Sequence, residues 1–318
     1  MKTLLIGCDS AWTARNSGAL VGVLCGDDGR YSELGPPITV RYDEAERVID
    51  HWISEFSPSA TVQFLDQPTI VKNLTGQRPV ENIVAGIISR RYGGMQPANR
   101  SRMEMFGDRA PVWGFLEHFG GPANPLTACS RTGVIETYPA LAIIALGWTL
   151  PDPAGRATGR LPKYNPGLKK KFSFEDWQHV CGLAMSEFSE RGLAGTAHWI
   201  TDLRQMDDPH KCDQDGLDAC ICLLVALYLA EGKECLMVGN METGYIVVPH
   251  NDELSKELEG RCRETERKPV DWVRRIRWGS PGSAVLEPCS VFRLLDPFFR
   301  TAEHWRISGL RCYGCLKW

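Results

Sequence analysis

Apolar residues follow two rhythms along this chain. Near the N-terminus they run together. "TLLIGCD" (3–9) and "GALVGVLCG" (18–26) read as a first and a second strand, the second closed by the turn "DDGR". "RYSELGPPITV" (30–40) reads as a third, weaker strand, and its prolines suggest a sheet edge. Between 42 and 56 the spacing changes: Ala45, Val48, Ile49, Trp52, Ile53 and Phe56 recur at helical intervals with charges on the other face. "ATVQFLDQP" (60–68) is then a fourth strand, ending at Asp66 before a proline.

Residues 69–131 read as an insertion rich in Gly, Pro, Arg and aromatics, with a short helix around 79–91. "TGVIETYPALAIIALGW" (132–148) is strand then helix, with Glu136 at the strand end. Residues 151–171 form a Pro/Gly-rich loop with six basic residues (Arg156, Arg160, Lys163, Lys169, Lys170, Lys171) against one acid, Asp152. An amphipathic helix over 173–192 opens on a Ser-x-x-Asp capping signal. The helix expected over 213–232 is strongly apolar, with acids only in its first turns, and "TGYIVVP" (243–249) reads as a closing strand. Beyond 250 the chain is dense in mixed charge and loses its period. The expected organisation is one α/β domain over 1–250 and a C-terminal extension over 251–318.

Composition narrows the class. The 318 residues are 43% hydrophobic and 24% charged, as in an ordinary soluble globular protein. A net charge of −3 excludes a wholly basic nucleic-acid coat but not a local basic groove. No apolar stretch approaches the roughly 20 residues that span a bilayer. The apolar run of "MKTLLIGCDSAW" is too short for a signal peptide and meets an Asp, so a cytoplasmic protein without a membrane partner is expected. Cys8, Cys220 and Cys222 sit in apolar runs as small buried hydrophobes. The pair Cys312 and Cys315 is the chain's sole CxxC, and no second pair completes a zinc site.

The candidate chemistry is acidic. Asp9, Asp66 and Glu136 each follow an apolar strand, where the core stops, and Asp215 and Asp218, three apart, share one face of the apolar helix. Singly, each suits a plainer role: a turn residue, a solvated strand end, or a favourable charge at a helix N-terminus. Gathered together they repel by about 1–4 kcal/mol per close pair. Proteins hold that arrangement when a divalent cation neutralises it, and hard oxygen ligands select Mg²⁺ or Mn²⁺.

"GCDSAW…NSG", "FLDQP", "TGQRPVE", "VIETYPA", "KCDQDGLDACICLLVA" and "ETGYIVVP", in this order, resemble the DUF429 family, whose members are described as predicted nucleases of the ribonuclease H fold. The resemblance covers roughly 1–250. It implies a ribonuclease H-like central mixed sheet, its first three strands antiparallel, with helices on both faces. In that superfamily acids on the first strand, the fourth strand and a later helix bind metal. Asp9, Asp66 and Asp218 match those positions, with Asp215 as a second helix acid and Glu136 as a further family acid. The implied reaction is hydrolysis of a nucleic-acid phosphodiester with two divalent ions, Mg²⁺ or Mn²⁺. Lys211 and Arg78 are candidates to stabilise phosphoryl charge. The loop 156–171, with Lys163, Lys169, Lys170 and Lys171, and the segment 89–102 are candidates to grip the backbone, with Tyr164 or Tyr92 stacking on a base. Trp12 reads as core or pocket wall.

Two other readings stand beside this one. An actin-like or sugar-kinase-like ATP-binding protein shares the opening strands and a first-strand Asp but needs Gly-rich phosphate loops in both halves. "GGMQ" (93–96) and "GGPAN" (120–124) sit outside a strand–helix context. A catalytically silent nucleic-acid-binding module on the same fold is the other.

Overall fold

The computed structural model describes residues 2–127 and 132–279. Its strands are β1 (Thr3–Asp9), β2 (Gly18–Cys25), β3 (Tyr31–Glu33), β4 (Ile38–Val40), β5 (Ala60–Asp66), β6 (Gly133–Glu136), β7 (Cys235–Asn240), β8 (Gly244–Pro249) and β9 (Val273–Ile276). The helices are α1 (Tyr42–Phe56), α2 (Pro79–Arg90), α3 (Met103–Phe106), α4 (Pro111–His118), α5 (Pro139–Ala145), α6 (Phe174–Glu190), α7 (Ala194–Gln205), α8 (Lys211–Ala230), α9 (Asp252–Glu264) and α10 (Pro269–Trp272).

The unbroken apolar run of β1 belongs at the middle of a sheet covered on both faces, and it lies there. β2 pairs antiparallel on one side and β5 parallel on the other. β3 and β4 both add antiparallel to β2, and β6 adds parallel to β5. The six-stranded mixed sheet runs β3-β2-β1-β5-β6, with β4 also on β2. The third strand expected over 30–40 is thus two short strands on one edge. Gly35, at φ 118°, breaks the strand ahead of Pro36 and Pro37, which have no N–H for a ladder.

Helices cover both faces. On one, α1 and α4 pack Ile49, Trp52, Phe115 and Leu116 against Leu4, Ile6, Leu20 and Leu65. On the other, α8 lies against Leu5, Val21, Val62 and Phe64, with α2, α5, α6 and α7 around it. α6 begins as its sequence signals, Ser173 Oγ accepting from Asp176 N–H at 3.3 Å. The insertion contributes α3 and α4 besides the expected α2, and a small cluster of Val71, Ala98 and Phe106 fills its outer part.

The strand expected over 243–249 is β8. It belongs to a second, antiparallel sheet, β8-β7-β9, and meets the end of β6 at a Thr137–Val247 bridge. The boundary expected near 250 falls between β8 and α9. α9 packs on α2, where Arg91 pairs with Glu257 at 2.5 Å, and β9 pairs with β7. Cys312 and Cys315 lie outside the described residues, among which no helix is long and apolar enough to cross a membrane.

One contact sets the spacing of the main layers. A Cβ on Gly7 would stand 2.1 Å from Ala219 O and 2.4 Å from Leu223 N, so α8 rests directly on the β1 backbone. The obstructing atoms are main chain and cannot rotate away. Gly7→Ala is therefore expected to cost at least about 3 kcal/mol in urea unfolding. A loss below about 1 kcal/mol would mean that α8 does not bear on β1 at this point.

Candidate functional site

Strand parity and helix spacing decide which acids meet. Leu5 and Gly7 face α8, so Asp9, two residues on, faces it too. On β5, Val62 and Phe64 face the same helix, and Asp66 continues that row. Asp9 and Asp66 are register partners on adjacent parallel strands. Along α8, Ala219 and Leu223 touch β1, and Asp215 and Asp218 extend this stripe toward the helix N-terminus. It passes beyond the strand ends there, and the four carboxyls face one another across the sheet edge.

Their electrostatics show the proximity. Burial raises the pKa of Asp9, and the charges of Asp66 and Asp218 raise it further. Asp66 is raised by burial and then by Asp218, and Asp218 is pushed up to about 6. Among the described residues one cation faces the group: Lys211 bonds to Asp215, and Asp9 and Asp218 help hold its ammonium charged against the cost of burial. Asp218 is also held by neutral donors, Tyr164 OH to Oδ1 at 2.6 Å and Gln214 Nε2 to Oδ2. Among the described residues no hydrogen-bond donor reaches the carboxyls of Asp9 or Asp66. The strand ends themselves are clamped from the α1 side, where Ser10 Oγ donates to Gln67 Oε1 at 2.6 Å and Tyr42 OH donates to the same oxygen.

Glu136 stands at the margin of this group, where its charge helps raise the pKa of Asp66. Its register partner is Leu65, the residue before Asp66, so it sits one position off the Asp9–Asp66 row. There it accepts from Arg78 at 2.6 and 2.9 Å and from Thr69 N–H at 2.9 Å. Arg78 is 1% exposed and also bonds Glu81 at 2.7 Å and Ile70 O at 3.2 Å. Its guanidinium is committed inside the protein. The basic loop is divided likewise. Arg156 lies over the Tyr92 ring, Arg160 pairs with Asp176 at 2.5 Å, and Lys163 donates its ammonium to Tyr92 O. Lys169, Lys170 and Lys171 are exposed. Tyr164 is buried, so its ring is not offered to a base, whereas Tyr92 is 42% exposed. Trp12 is half-buried against Phe106, as a pocket wall would be.

The profile of the family described as "Protein of unknown function (DUF429)" matches residues 7–243. The chain belongs to the DUF429 family. Among curated proteins none matches it.

The matched region of this DUF429 chain contains all four clustered acids and Lys211. The chemistry of Asp9, Asp66 and Asp218 suits a hard divalent cation: carboxyl oxygens raised in pKa by burial, two of the three carboxyls without a hydrogen-bond donor among the described residues. Among the described residues no group of three or more His, Cys, Asp or Glu side chains is placed to hold a metal ion. Lys211 supplies the positive charge instead. Sequence reasoning missed Tyr164 and Gln214 as partners of Asp218, and Tyr138, whose hydroxyl bonds Gly94 O at 2.9 Å beside Asp66 and Asp218. Of these, only Gln214 carries a signal, its i, i+4 spacing to Asp218.

The two sets of acids predict opposite stability effects in metal-free protein. A carboxyl whose folded pKa is raised favours the fold while protonated, and that stability is lost as pH rises from about 4 through about 6. Asp9→Asn removes repulsion, so it should flatten this loss and leave the protein at least as stable as wild type at pH 7.5. Glu136→Gln strips charge from a buried pair and should cost about 3 kcal/mol at the same pH. Urea unfolding from pH 4 to 8 checks both; a loss of several kcal/mol in Asp9→Asn would make Asp9 a structural anchor.

Proposed function

We propose that this DUF429 protein is a metal-dependent nuclease on a ribonuclease H-like fold, hydrolysing nucleic-acid phosphodiesters. One observation carries the reading: Asp9 and Asp66 at the ends of adjacent strands and Asp218 on the covering helix converge on one face of the sheet. The antiparallel β1–β2–β3 start followed by parallel β5 supports the fold assignment. Asp9, Asp66 and Asp218 would hold the metal, with Asp215 at the margin. When bound, Mg²⁺ or Mn²⁺ supplies the charge that activates a water and stabilises the leaving oxygen.

The chain's own groups do the rest. Lys211, half-exposed and held charged by the acids, turns from Asp215 to a phosphoryl oxygen. Gly167 lies beside Lys211, a built Cβ there standing 3.6 Å from Lys211 Cδ, so Lys169–Lys171 follow on from the same mouth. They give the polyanion a path toward the acids. Arg78 and Glu136 fix the segment after β5 through Thr69 and Ile70 and keep Asp66 in place. The ATP-binding reading draws less support, because Gly93–Gly94 follow α2 and Gly120–Gly121 lead into β6. Phosphate loops lead from a strand into a helix N-terminus.

Labelled single- and double-stranded DNA and RNA, incubated with Mn²⁺ or with chelator, test the proposal. Wild type should cleave at least one substrate, and Asp9→Asn or chelator should abolish cleavage. Neutralising Lys169, Lys170 and Lys171 together should lower the salt slope of binding by about two units, evenly across sequences. No cleavage of any substrate by metal-loaded wild type would refute the proposal.

A further inference from the structure

Residues 163–173 form a loop closed at its base. Ser173 N–H donates to Lys163 O at 2.8 Å, Lys163 N–H reaches Asp176 Oδ2 at 2.6 Å, and Arg160 holds the other Asp176 oxygen at 2.9 Å. Within the tip, Lys171 N–H and Phe172 N–H both return to Leu168 O. Residues 167–171 are exposed, Leu168 at 55%. Two aromatic side chains of the loop turn inward: Phe172 packs against Trp177, and Tyr164 is buried and donates its hydroxyl to Asp218.

A buried tyrosine hydroxyl needs a partner, and nothing in its loop supplies one. It is satisfied by an acid of the cluster. With Gln214 on the second oxygen, each oxygen of Asp218 accepts from a donor of a different element and keeps a lone pair free. Asp9 and Asp66 have no such support and depend on their strands alone. The same closed loop therefore shows lysines to solvent and fixes an acid in the interior.

We infer that Tyr164 is a positioning residue: it orients Asp218 toward Asp9 and Asp66 and makes divalent-cation binding and the order of loop 163–173 mutually dependent. The inference rests on the metal-dependent reading of the acids. Hydrogen bonds to a ligating carboxylate tune metal affinity, and coupling between two binding events is reciprocal. A polyanion that settles the lysine tip thus also settles Asp218, and cation binding steadies the tip.

Tyr164→Phe keeps the ring and deletes one hydroxyl. Titration calorimetry of metal-free protein with Mn²⁺ should show the variant binding about 10-fold more weakly than wild type. Its kcat should fall while KM for an oligonucleotide stays within about twofold, because the lysines are untouched. In wild type, Mn²⁺ should slow backbone hydrogen exchange across 163–173, a readout that does not require the variant to fold. Equal Mn²⁺ affinity in wild type and Tyr164→Phe overturns the positioning role and leaves the acid site standing. Saturable Mn²⁺ binding in wild type without protection of the loop overturns the coupling. No saturable Mn²⁺ binding to wild type overturns this inference and the metal-dependent reading together.

Discussion

Gly7 has no side chain, and α8 uses the space to lie against the backbone of β1, its Ala219 carbonyl and Leu223 amide over the glycine. That approach fixes the height of the helix above the sheet and its rotation about its own axis. Because α8 is buried almost all round, from Gln214 to Leu227, it cannot roll to present another face. Asp215 and Asp218 therefore meet the ends of β1 and β5, and the register of those strands puts Asp9 beside Asp66. A sheet-facing helix one Cβ farther away would leave the acids in separate environments.

Two neighbouring groups at the sheet edge treat buried charge differently. At the end of β6, Arg78 meets Glu81 and Glu136 with nearly every donor used, one guanidinium shared by two carboxylates. On the α8 side four carboxyls share one lysine, and that lysine is half-exposed. Every carboxylate oxygen of the first group has a donor, the N–H groups of Thr69 and Ala98 adding to the one guanidinium, whereas among the described residues Asp9 and Asp66 in the second have none. Strain of this kind persists where function requires it, and the proposed cation is the missing counter-charge. Ser10, Gln67 and Tyr42 hold the strand ends through their shared hydrogen bonds.

Much of the main sheet could be read from residues alone. The apolar runs ending at Asp9 and Asp66, the stripe from Ala45 to Phe56 and the apolar run of α8 all have strong local periods, and their elements form as expected. Strand-end placement identified the clustered acids but said nothing of which face each would take. Glu136 shares that placement but sits one residue out of step with the Asp9–Asp66 row, where Arg78 takes its carboxylate while its charge still reaches Asp66. Arg78 resembled a phosphate ligand because sequence shows a cation but not its burial. Tyr164 lies in a Pro- and Gly-rich loop with no period at all, so nothing local marks it as buried. Non-local pairing also placed β8 in a second sheet with β7 and β9.

The central claim is that Asp9, Asp66 and Asp218 are one electrostatic unit completed by a divalent cation. The most direct measurement is the thermal unfolding midpoint of the whole chain at pH 8 as Mn²⁺ is raised, for wild type and Asp66→Asn. Binding to the folded state alone should stabilise wild type by about 2.7 kcal/mol at one hundred times the dissociation constant. The account predicts a midpoint that climbs with the logarithm of Mn²⁺ concentration in wild type and stays nearly flat in Asp66→Asn. A wild-type midpoint indifferent to Mn²⁺, or an equal climb in both proteins, would contradict it.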